Sequence, residues 1–251
     1  VLQITWARYF FTVVFTFPLM FFFFKKYLVW TDKPKLQLIR GLILLTANIS
    51  FFYSISVISL PKALTLAFVA PLVVTAFSPF FLGESVGYRR WAAVIIGFIG
   101  SLVVIRPGFL EINLASLAAL GTGIMYGFYL IITRKLSTSD NPLLTLLLTG
   151  VVGAIIATTF MPFVWVSPTF NQWSIMAAIG LFACIGHLFI ILSLKYADAS
   201  ILAPFSYFEI VTNIIIAYYF FGDFPDSWTF LGLFFIVFSG IYISRRKNFV
   251  K

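Results

Sequence analysis

Residues 77–108 read FSPFFLGESVGYRRWAAVIIGFIGSLVVIRPG, and residues 216–246 read IAYYFFGDFPDSWTFLGLFFIVFSGIYISRR. Both stretches run from an aromatic-rich helix end through a glycine–acid pair into a second apolar helix with two adjacent small residues. The glycine–acid pairs are Gly83-Glu84 in the first stretch and Gly222-Asp223 in the second. A long motif that occurs twice in one chain indicates that the chain contains two related halves.

The sequence around both motifs has the composition of a membrane protein. Of its 251 residues, 61% are hydrophobic and 10% are charged, and the mean hydropathy is +1.05, which excludes a soluble globular protein. A helix needs about 20 apolar residues to span a bilayer. Segments of about this length are 5–24, 38–59, 63–82, 89–106, 114–133, 143–165, 173–193, 199–221 and 227–244. Continuous apolar runs do not fit the alternating pattern of a β-barrel. We therefore predict an all-α integral membrane protein, a bundle of nine transmembrane helices.

The net charge of +9 sets the orientation of this bundle. If the chain crosses the bilayer at each segment, one side carries almost all the basic residues: Lys25, Lys26, Lys33, Lys35, Arg40, Arg89, Arg90, Arg134, Lys135, Lys195, Arg245, Arg246, Lys247 and Lys251. The other side holds Lys62 and Arg106, and Arg8 lies within the first segment. By the positive-inside rule, the C-terminus is cytoplasmic, and we expect a bacterial inner (plasma) membrane. The basic excess thus determines topology and does not indicate a nucleic-acid partner.

The same threading places Gly83-Glu84 on the cytoplasmic side and Gly222-Asp223 on the opposite side. The repeat is therefore expected to be inverted across the membrane, as in many secondary transporters. We place the first repeat at residues 1–110 and the second at 111–251. The second repeat has five predicted spans and the first has four, so we expect the first helix of the first repeat to be missing and the full-length protein to have ten. Small residues at Gly97/Gly100, Gly123/Gly127 and Gly150/Gly153 predict close contacts between helices.

Several motifs resemble those of the EamA family, which belongs to the drug/metabolite transporter superfamily. They are the segment from Gly83-Glu84 to Arg106-Pro107-Gly108, the segment from Tyr207-Phe208-Glu209 through Phe221-Gly222-Asp223-Phe224-Pro225-Asp226 to Ser239-Gly240-Ile241-Tyr242, the start Ile4-Thr5-Trp6-Ala7-Arg8-Tyr9 and the basic loop Arg134-Lys135-Leu136. The resemblance covers essentially the whole chain. It implies ten helices in two inverted five-helix repeats around a central cavity, with alternating access. The ending at residues 221–226 is similar to a branch that includes S-adenosylmethionine uptake carriers.

Glu209 is the only acidic residue inside a predicted span. A carboxylate at that depth costs about 2.5–3.5 kcal/mol, so it usually faces a cavity or a partner. Ser206, Glu209 and Asn213 follow the spacing of one helical face. Further polar stripes comprise Thr5, Arg8, Thr12 and Thr16 in the first span and Thr122, Tyr126, Tyr129 and Thr133 in the fifth. Polar faces on several helices suggest a shared cavity, although hydrogen bonding between helices is the alternative explanation.

These patterns give a set of predicted substrate-binding residues: Arg8, Tyr9, Asn48, Tyr53, Tyr126, His187, Ser206, Tyr207, Glu209 and Asn213. Glu209 is expected to bind a cationic group or a coupling proton. Arg8 is expected to pair with Glu209 or with a substrate carboxylate, and His187 is a candidate for proton or substrate handling. The aromatic residues would stack on a ring or a cation. The expected substrate is a small metabolite of amino-acid, nucleoside-like or S-adenosylmethionine-like character.

The sequence leaves other classes of protein open. Asp223 and Asp226 have a DxxD spacing that would suit Mg²⁺ and a diphosphate in an intramembrane enzyme or a lipid-intermediate flippase. No second acidic cluster accompanies them, and Pro225 favours a tight turn. A channel would favour rings of like residues in an oligomer. One His and one Cys are too few for a zinc site, and no cofactor motif occurs. We therefore predict a permease driven by a gradient or by exchange, not an enzyme.

Overall fold

A computed structural model describes residues 1–24, 31–83, 87–105, 113–197, 199–202, 208–222 and 224–245. This part of the chain is helical and contains no β-strand. The helices are α1 Leu2–Phe24, α2 Pro34–Ile55, α3 Leu60–Ala67, α4 Ala70–Leu82, α5 Tyr88–Ile105, α6 Leu114–Ser137, α7 Pro142–Val164, α8 Phe170–Tyr196, α9 Ala199–Leu202, α10 Phe208–Phe221 and α11 Ser227–Arg245.

Six stretches in the described ranges are long and apolar enough to cross a membrane. They are Leu2–Phe22, Pro34–Ile55, Leu60–Leu82, Leu114–Ser137, Pro142–Val164 and Phe170–Tyr196. Shorter apolar helices occupy Trp91–Val104, Thr212–Phe221 and Ser227–Ser239. The all-helical prediction is therefore confirmed, while the exact number of nine transmembrane helices remains a prediction.

Two of the predicted spans each contain two described helices. Residues 63–82 fall in α3 and α4, which are separated at Phe68 and Val69. Pro71 lies in the first turn of α4 and has no backbone N–H to donate to the carbonyl of Ala67, four residues earlier. The predicted span 199–221 contains α9 and α10, and the residues between these two helices lie outside the described ranges.

The described helices form two compact units, which we consider separately. The first unit consists of Val1–Ile49 and Ile132–Tyr196, and the second of Ser50–Ile131 and Ala197–Lys251. The first unit therefore contains α1, α7, α8 and most of α2. The second contains α3, α4, α5, α9, α10, α11 and most of α6. Each unit takes helices from both halves of the sequence.

In the first unit, α1 packs against α7 and α8 through glycines. A Cβ atom added at Gly150 or Gly153 on α7 would lie 3.0 Å from Val13 and 2.3 Å from the ring of Tyr9. A Cβ atom at Gly180 on α8 would lie 2.2 Å from the Cβ of Phe11. Because real Cβ contacts are not this short, the helices approach closely only where a side chain is absent. The predicted contact role of Gly150/Gly153 is confirmed.

The first turns of α1 are anchored at the C-terminal end of α7 and the N-terminal end of α8. The Gln3 amide donates to the Val166 carbonyl (2.6 Å) and accepts from the Val166 N–H (3.2 Å). Trp6 donates from Nε1 to Thr158 Oγ1 (2.9 Å), and its ring lies edge-on to Trp165 and Trp173 at 5.5 and 6.4 Å. Tryptophans are enriched where helices leave the hydrocarbon core. These contacts fix the start of α1 against α7 and α8.

In the second unit, α5 and α11 pack in antiparallel fashion. A Cβ atom at Gly97 would lie 2.6 Å from Ser239 Oγ, and one at Gly100 would lie 3.1 Å from Ile236. At Gly232, a Cβ atom would lie 2.3 Å from Val104. Residue numbers rise along α5 as they fall along α11, which defines the antiparallel direction. The predicted contact role of Gly97/Gly100 is confirmed.

The interruption between α3 and α4 is covered by α6. A Cβ atom at Gly123 would lie 2.5 Å from the carbonyl oxygen of Ala67, and one at Gly127 would lie 3.0 Å from that of Ala70. The carbonyl that Pro71 leaves without its helical donor therefore meets the bare backbone of a glycine. Gly123 and Gly127 make the predicted close contact, and they make it at the point where the neighbouring helix is interrupted.

Candidate functional site

Four of the predicted site residues meet in the first unit. Arg8 and Tyr9 come from α1, Asn48 from α2 and His187 from α8. Arg8, Asn48 and His187 are partly buried, and Tyr9 is 2% exposed. We call these four residues the Arg8 cluster. The sequence placed them in three separate segments, and the fold brings them together.

Arg8 is hydrogen-bonded to the imidazole of His187. The distance between Arg8 Nη2 and His187 Nε2 is 2.6 Å. A guanidinium has no acceptor, so Nε2 must accept the hydrogen bond. The neutral imidazole then carries its proton on Nδ1. The guanidinium carbon of Arg8 also lies 5.3 Å from the centroid of the Tyr9 ring, a distance typical of a cation–π contact.

Tyr9 and Asn48 extend the cluster toward α2. Asn48 Nδ2 donates to Tyr9 Oη at 2.7 Å and to the carbonyl of Leu44 at 2.8 Å. The Tyr9 ring fills the space beside Gly153 on α7, so its position is set by close packing. Tyr9 is therefore a fixed support between α1, α2 and α7, and Arg8 lies over its face.

The polar stripe predicted on α1 faces α8. Thr12 Oγ1 donates to the carbonyl of Arg8 at 2.7 Å and lies 3.5 Å from the carbonyl of Gly180. Thr16 Oγ1 lies 3.3 Å from Cys184 Sγ, and Cys184 packs in an apolar cluster with Leu146 and Ile191. Cys184 and His187 thus share one face of α8. The threonines hold that face against α1.

The remaining described site residues lie in the second unit. Asn213 Nδ2 lies 3.4 Å from Glu209 Oε1, and the Glu209 side chain is exposed, so these two residues share the predicted face of α10. Tyr126 stacks on Tyr129 with ring centroids 5.5 Å apart, and Tyr53 is 36% exposed. Ser206 and Tyr207 lie outside the described residues.

The first unit contains a second polar cluster, which the sequence alone does not predict. We call it the Arg40 cluster, and it consists of Thr31, Gln37, Arg40, Thr133, Asp140, Thr145 and Thr149. Arg40 is the third residue of the predicted span 38–59 and is 0% exposed. It donates from Nε to Thr133 Oγ1 (2.7 Å) and from Nη1 to the Thr145 carbonyl (3.1 Å) and to Thr149 Oγ1.

The acidic side of the Arg40 cluster is the turn between α6 and α7. Asp140 Oδ2 accepts from Thr31 Oγ1 at 2.5 Å and from Gln37 Nε2 at 2.7 Å. Gln37 also donates to Thr145 Oγ1 at 3.1 Å. The spacings 37/40 and 145/149 place these side chains on single helix faces, and that was the available signal. Their long-range meeting is not visible in the sequence.

The DxxD spacing has a structural explanation at its second aspartate. Asp226 Oδ1 accepts from the Thr229 N–H at 2.8 Å, and the Asp226 carbonyl accepts from the Phe230 N–H at 2.9 Å. Asp226 is therefore the N-cap of α11, where a carboxylate satisfies a backbone donor. Asp223 lies outside the described residues. This geometry supports the turn interpretation of the motif.

Comparisons with known proteins agree with the resemblance noted in the sequence. The sequence model of the EamA-like transporter family matches residues 1–106 and 113–245. The chain is 27% identical to an S-adenosylmethionine uptake transporter of Rickettsia bellii over 99% of this chain and 86% of that protein. It is 29% identical to a riboflavin transporter of Vibrio cholerae over 74% and 63% of the two chains. A pseudopaline exporter of Pseudomonas aeruginosa is 26% identical over 84% and 75%. A solved crystal structure shares the fold at a TM-score of 0.69, with 18% identity over 97% of this chain and 88% of that chain.

Proposed function

Because this chain belongs to the EamA-like transporter family, we propose that it is a secondary carrier that moves a small organic metabolite by alternating access. The protein is an integral membrane protein and a transporter of small molecules, as its apolar helices and its relatives indicate. The relatives are named for transport, and an intramembrane enzyme or flippase is not favoured. We further propose an inner-membrane location with the C-terminus in the cytoplasm, which rests on the distribution of basic residues.

The proposed inverted repeat is supported by contacts inside each unit. The sequence register that aligns Gly83 with Gly222 also pairs Gly97 with Ile236 and Gly100 with Ser239. The contact Gly97–Ser239 then has a counterpart in Gly100–Ile236, and both occur between the antiparallel helices α5 and α11. A two-fold axis in the membrane plane relates antiparallel helices in this way. We call this alignment the repeat register.

The repeat register also relates contact glycines in the first unit. It pairs Gly41 on α2 with Gly180 on α8. Each of these glycines receives a neighbouring helix, α7 at Gly41 and α1 at Gly180. The agreement between the repeat register and the helix contacts supports repeats at residues 1–110 and 111–251.

The Arg8 cluster is the observation that carries the site proposal. It places a cation, an imidazole, an amide and an aromatic ring within hydrogen-bond or stacking distance inside an apolar helical unit. Polar groups at membrane depth are costly and commonly mark substrate pathways. We propose that Arg8 binds a substrate carboxylate and that Tyr9, Asn48 and His187 orient the guanidinium.

For the second unit, we propose that Glu209 binds a cationic group or a coupling proton, with Asn213 beside it. Tyr53, Tyr126, Ser206 and Tyr207 would supply the wall of the site. A carboxylate-binding arginine suits a metabolite with an amino-acid moiety. S-adenosylmethionine has this chemistry, and the relatives named for its uptake support it as the first substrate to test.

The test is uptake of radiolabelled S-adenosylmethionine by proteoliposomes that contain the purified full chain. We expect saturable uptake that excess unlabelled substrate inhibits. Arg8→Gln and Glu209→Gln should each reduce uptake at least about tenfold, because about 1.4 kcal/mol of binding free energy corresponds to a factor of ten. Lys195→Gln, which removes an exposed cation at the end of α8, is the matched control. Full activity in a folded Arg8→Gln variant would contradict the proposed site. Formation of a new product in detergent would instead favour the enzyme.

A further inference from the structure

The hydrogen bond between Arg8 and His187 has a defined direction. Arg8 donates and His187 Nε2 accepts over 2.6 Å. If a proton is added at Nε2, the ring becomes a donor on both nitrogens and a cation. The present contact and a protonated His187 therefore exclude each other. Protonation of Nε2 therefore moves the Arg8 guanidinium away from the ring, or it brings in a third group that accepts hydrogen bonds from both side chains.

The described acidic residues of the first unit, Asp32 and Asp140, lie outside its helices. The sequences of α1, α2, α7 and α8 contain no Asp or Glu. Arg8 on α1 bonds the ring and lies over the face of Tyr9, and the sequence of α7 contains no titratable side chain. Protonation of His187 places a second cation beside Arg8, and an anion that contacts both side chains would stabilise the pair.

We propose that protonation of His187 and binding of a carboxylate at Arg8 are one coupled event. This inference rests on the proposed transport function and specifies its driving ion and substrate class. A proton adds to Nε2, the Arg8–Nε2 hydrogen bond breaks, and the ligand carboxylate accepts from both the Arg8 N–H and the new Nε2–H. The net charge of the site stays at +1, because the proton and the carboxylate arrive together. The site therefore favours co-transport of a proton with a carboxylate-bearing metabolite.

The proposed repeat pairs the titratable side chain of this site with a side chain that does not titrate. The repeat register pairs His187 with Asn48. Both side chains contact the same short segment of α1, since His187 bonds Arg8 and Asn48 bonds Tyr9. Asn48 has an amide and does not titrate. Replacement of His187 by asparagine thus copies the side chain of its repeat counterpart and removes the proton site.

The first experiment is ¹⁵N NMR of the imidazole ring in the full chain in detergent. The sequence contains one histidine, so the spectrum reports on His187 alone. We expect the Nδ1–H tautomer at alkaline pH. At about pH 6, near the usual range of histidine, sodium butyrate should increase the doubly protonated fraction, whereas butyramide should not. In Arg8→Gln, butyrate should have no such effect. A ring protonated at Nε2 in its neutral form, or a wild-type ring that ignores butyrate, would overturn the proposal.

The second experiment adds an inward proton gradient to the uptake assay described above. We expect wild-type uptake to rise about 5- to 150-fold, the usual range for coupled sites, and the folded His187→Asn variant to lose this stimulation. If uptake is saturable but the gradient changes it in neither the wild type nor the variant, the proposed coupling is wrong and the transport function still holds. If the wild type takes up no substrate at all, the transport assignment fails, and the NMR result alone decides whether proton and carboxylate are linked.

Discussion

Arg8 and Arg40 are both cations within long apolar helices, but their surroundings differ. Insertion of an arginine at the centre of a membrane helix costs about 2.5–3.5 kcal/mol. Arg40 is completely buried and donates to a backbone carbonyl and two threonines. Arg8 is partly buried and contacts a neutral imidazole and an aromatic ring. We infer that Arg40 stabilises the fold, whereas Arg8 retains the access that a ligand requires.

Replacement of Arg40 should therefore reduce stability. Arg40→Ala leaves Thr133, Thr149 and the Thr145 carbonyl without their described donor. A hydrogen bond to a charged group contributes about 1.5–3 kcal/mol, so we expect the free energy of unfolding to fall by at least about 3 kcal/mol. Arg40→Lys keeps the charge but not the planar fork of donors and should be intermediate. Denaturant unfolding in detergent measures both effects.

The control for this prediction lies on the same helix. Lys35 is an exposed cation near the start of α2, and Lys35→Ala should change the free energy of unfolding by no more than about 0.5 kcal/mol. Equal stability of Arg40→Ala and Lys35→Ala would show that the Arg40 cluster does not support the fold.

At the residue scale, the sequence revealed which side chains are polar but not which of them meet. The pairing of Arg8 with His187 and of Tyr9 with Asn48 joins residues far apart in the chain. Helical spacing predicts a shared face within one helix, and it correctly placed Glu209 beside Asn213. Helical spacing does not show which residues of a neighbouring helix this face contacts. Arg40 lies near the start of the predicted span 38–59, and the spacing does not show that its partners come from α6 and α7.

At the scale of elements, α1 depends on glycines of its neighbours. Gly180 and Gly186 are both on α8, but an added Cβ would lie 2.2 Å from the Cβ of Phe11 at Gly180, whereas nothing lies within 4 Å at Gly186. The two positions therefore form a matched pair in one helix. They separate the effect of steric overlap from the effect of helix propensity.

We expect Gly180→Ala to destabilise the protein by about 1–3 kcal/mol, the usual cost of overpacking. Gly186→Ala should be neutral or stabilising by up to about 1 kcal/mol, because alanine favours a helix more than glycine does. Thermal unfolding in detergent compares the two variants. If both variants unfold at the wild-type temperature, α1 does not pack against Gly180 as described.

The limits of most helices could be predicted from apolar length alone, because a bilayer requires about 20 apolar residues. The separation of α3 and α4 required one more step. Pro71 signals an unsatisfied carbonyl at Ala67, but the sequence does not reveal that Gly123 will cover it. The interruption of the helix thus follows from the local sequence, whereas its packing against α6 depends on the tertiary structure.

At the scale of the whole molecule, the two proposed repeats share a backbone conformation at the ends of α4 and α10. Gly83 ends α4 with φ of 71°, and Gly222 follows α10 with φ of 68°. A positive φ is favourable for glycine because it lacks a Cβ. Two equivalent sequence positions therefore adopt the same backbone conformation. The proposed inversion adds that these two turns lie on opposite faces of the membrane, and this can be tested directly.

Single cysteines beside the two turns provide that test. Gly87 is exposed with no neighbouring atom near its Cβ position, and Phe224 is 62% exposed. Cys184 is 2% exposed, so the parent protein should give little background. We expect a membrane-impermeant maleimide to label Phe224→Cys in intact cells and Gly87→Cys only after permeabilisation, because the basic residues place the first turn in the cytoplasm. Labelling of both positions from the same side would contradict the inverted repeat and the proposed topology together. Labelling on opposite sides but in the reverse order would retain the repeat and place the C-terminus outside.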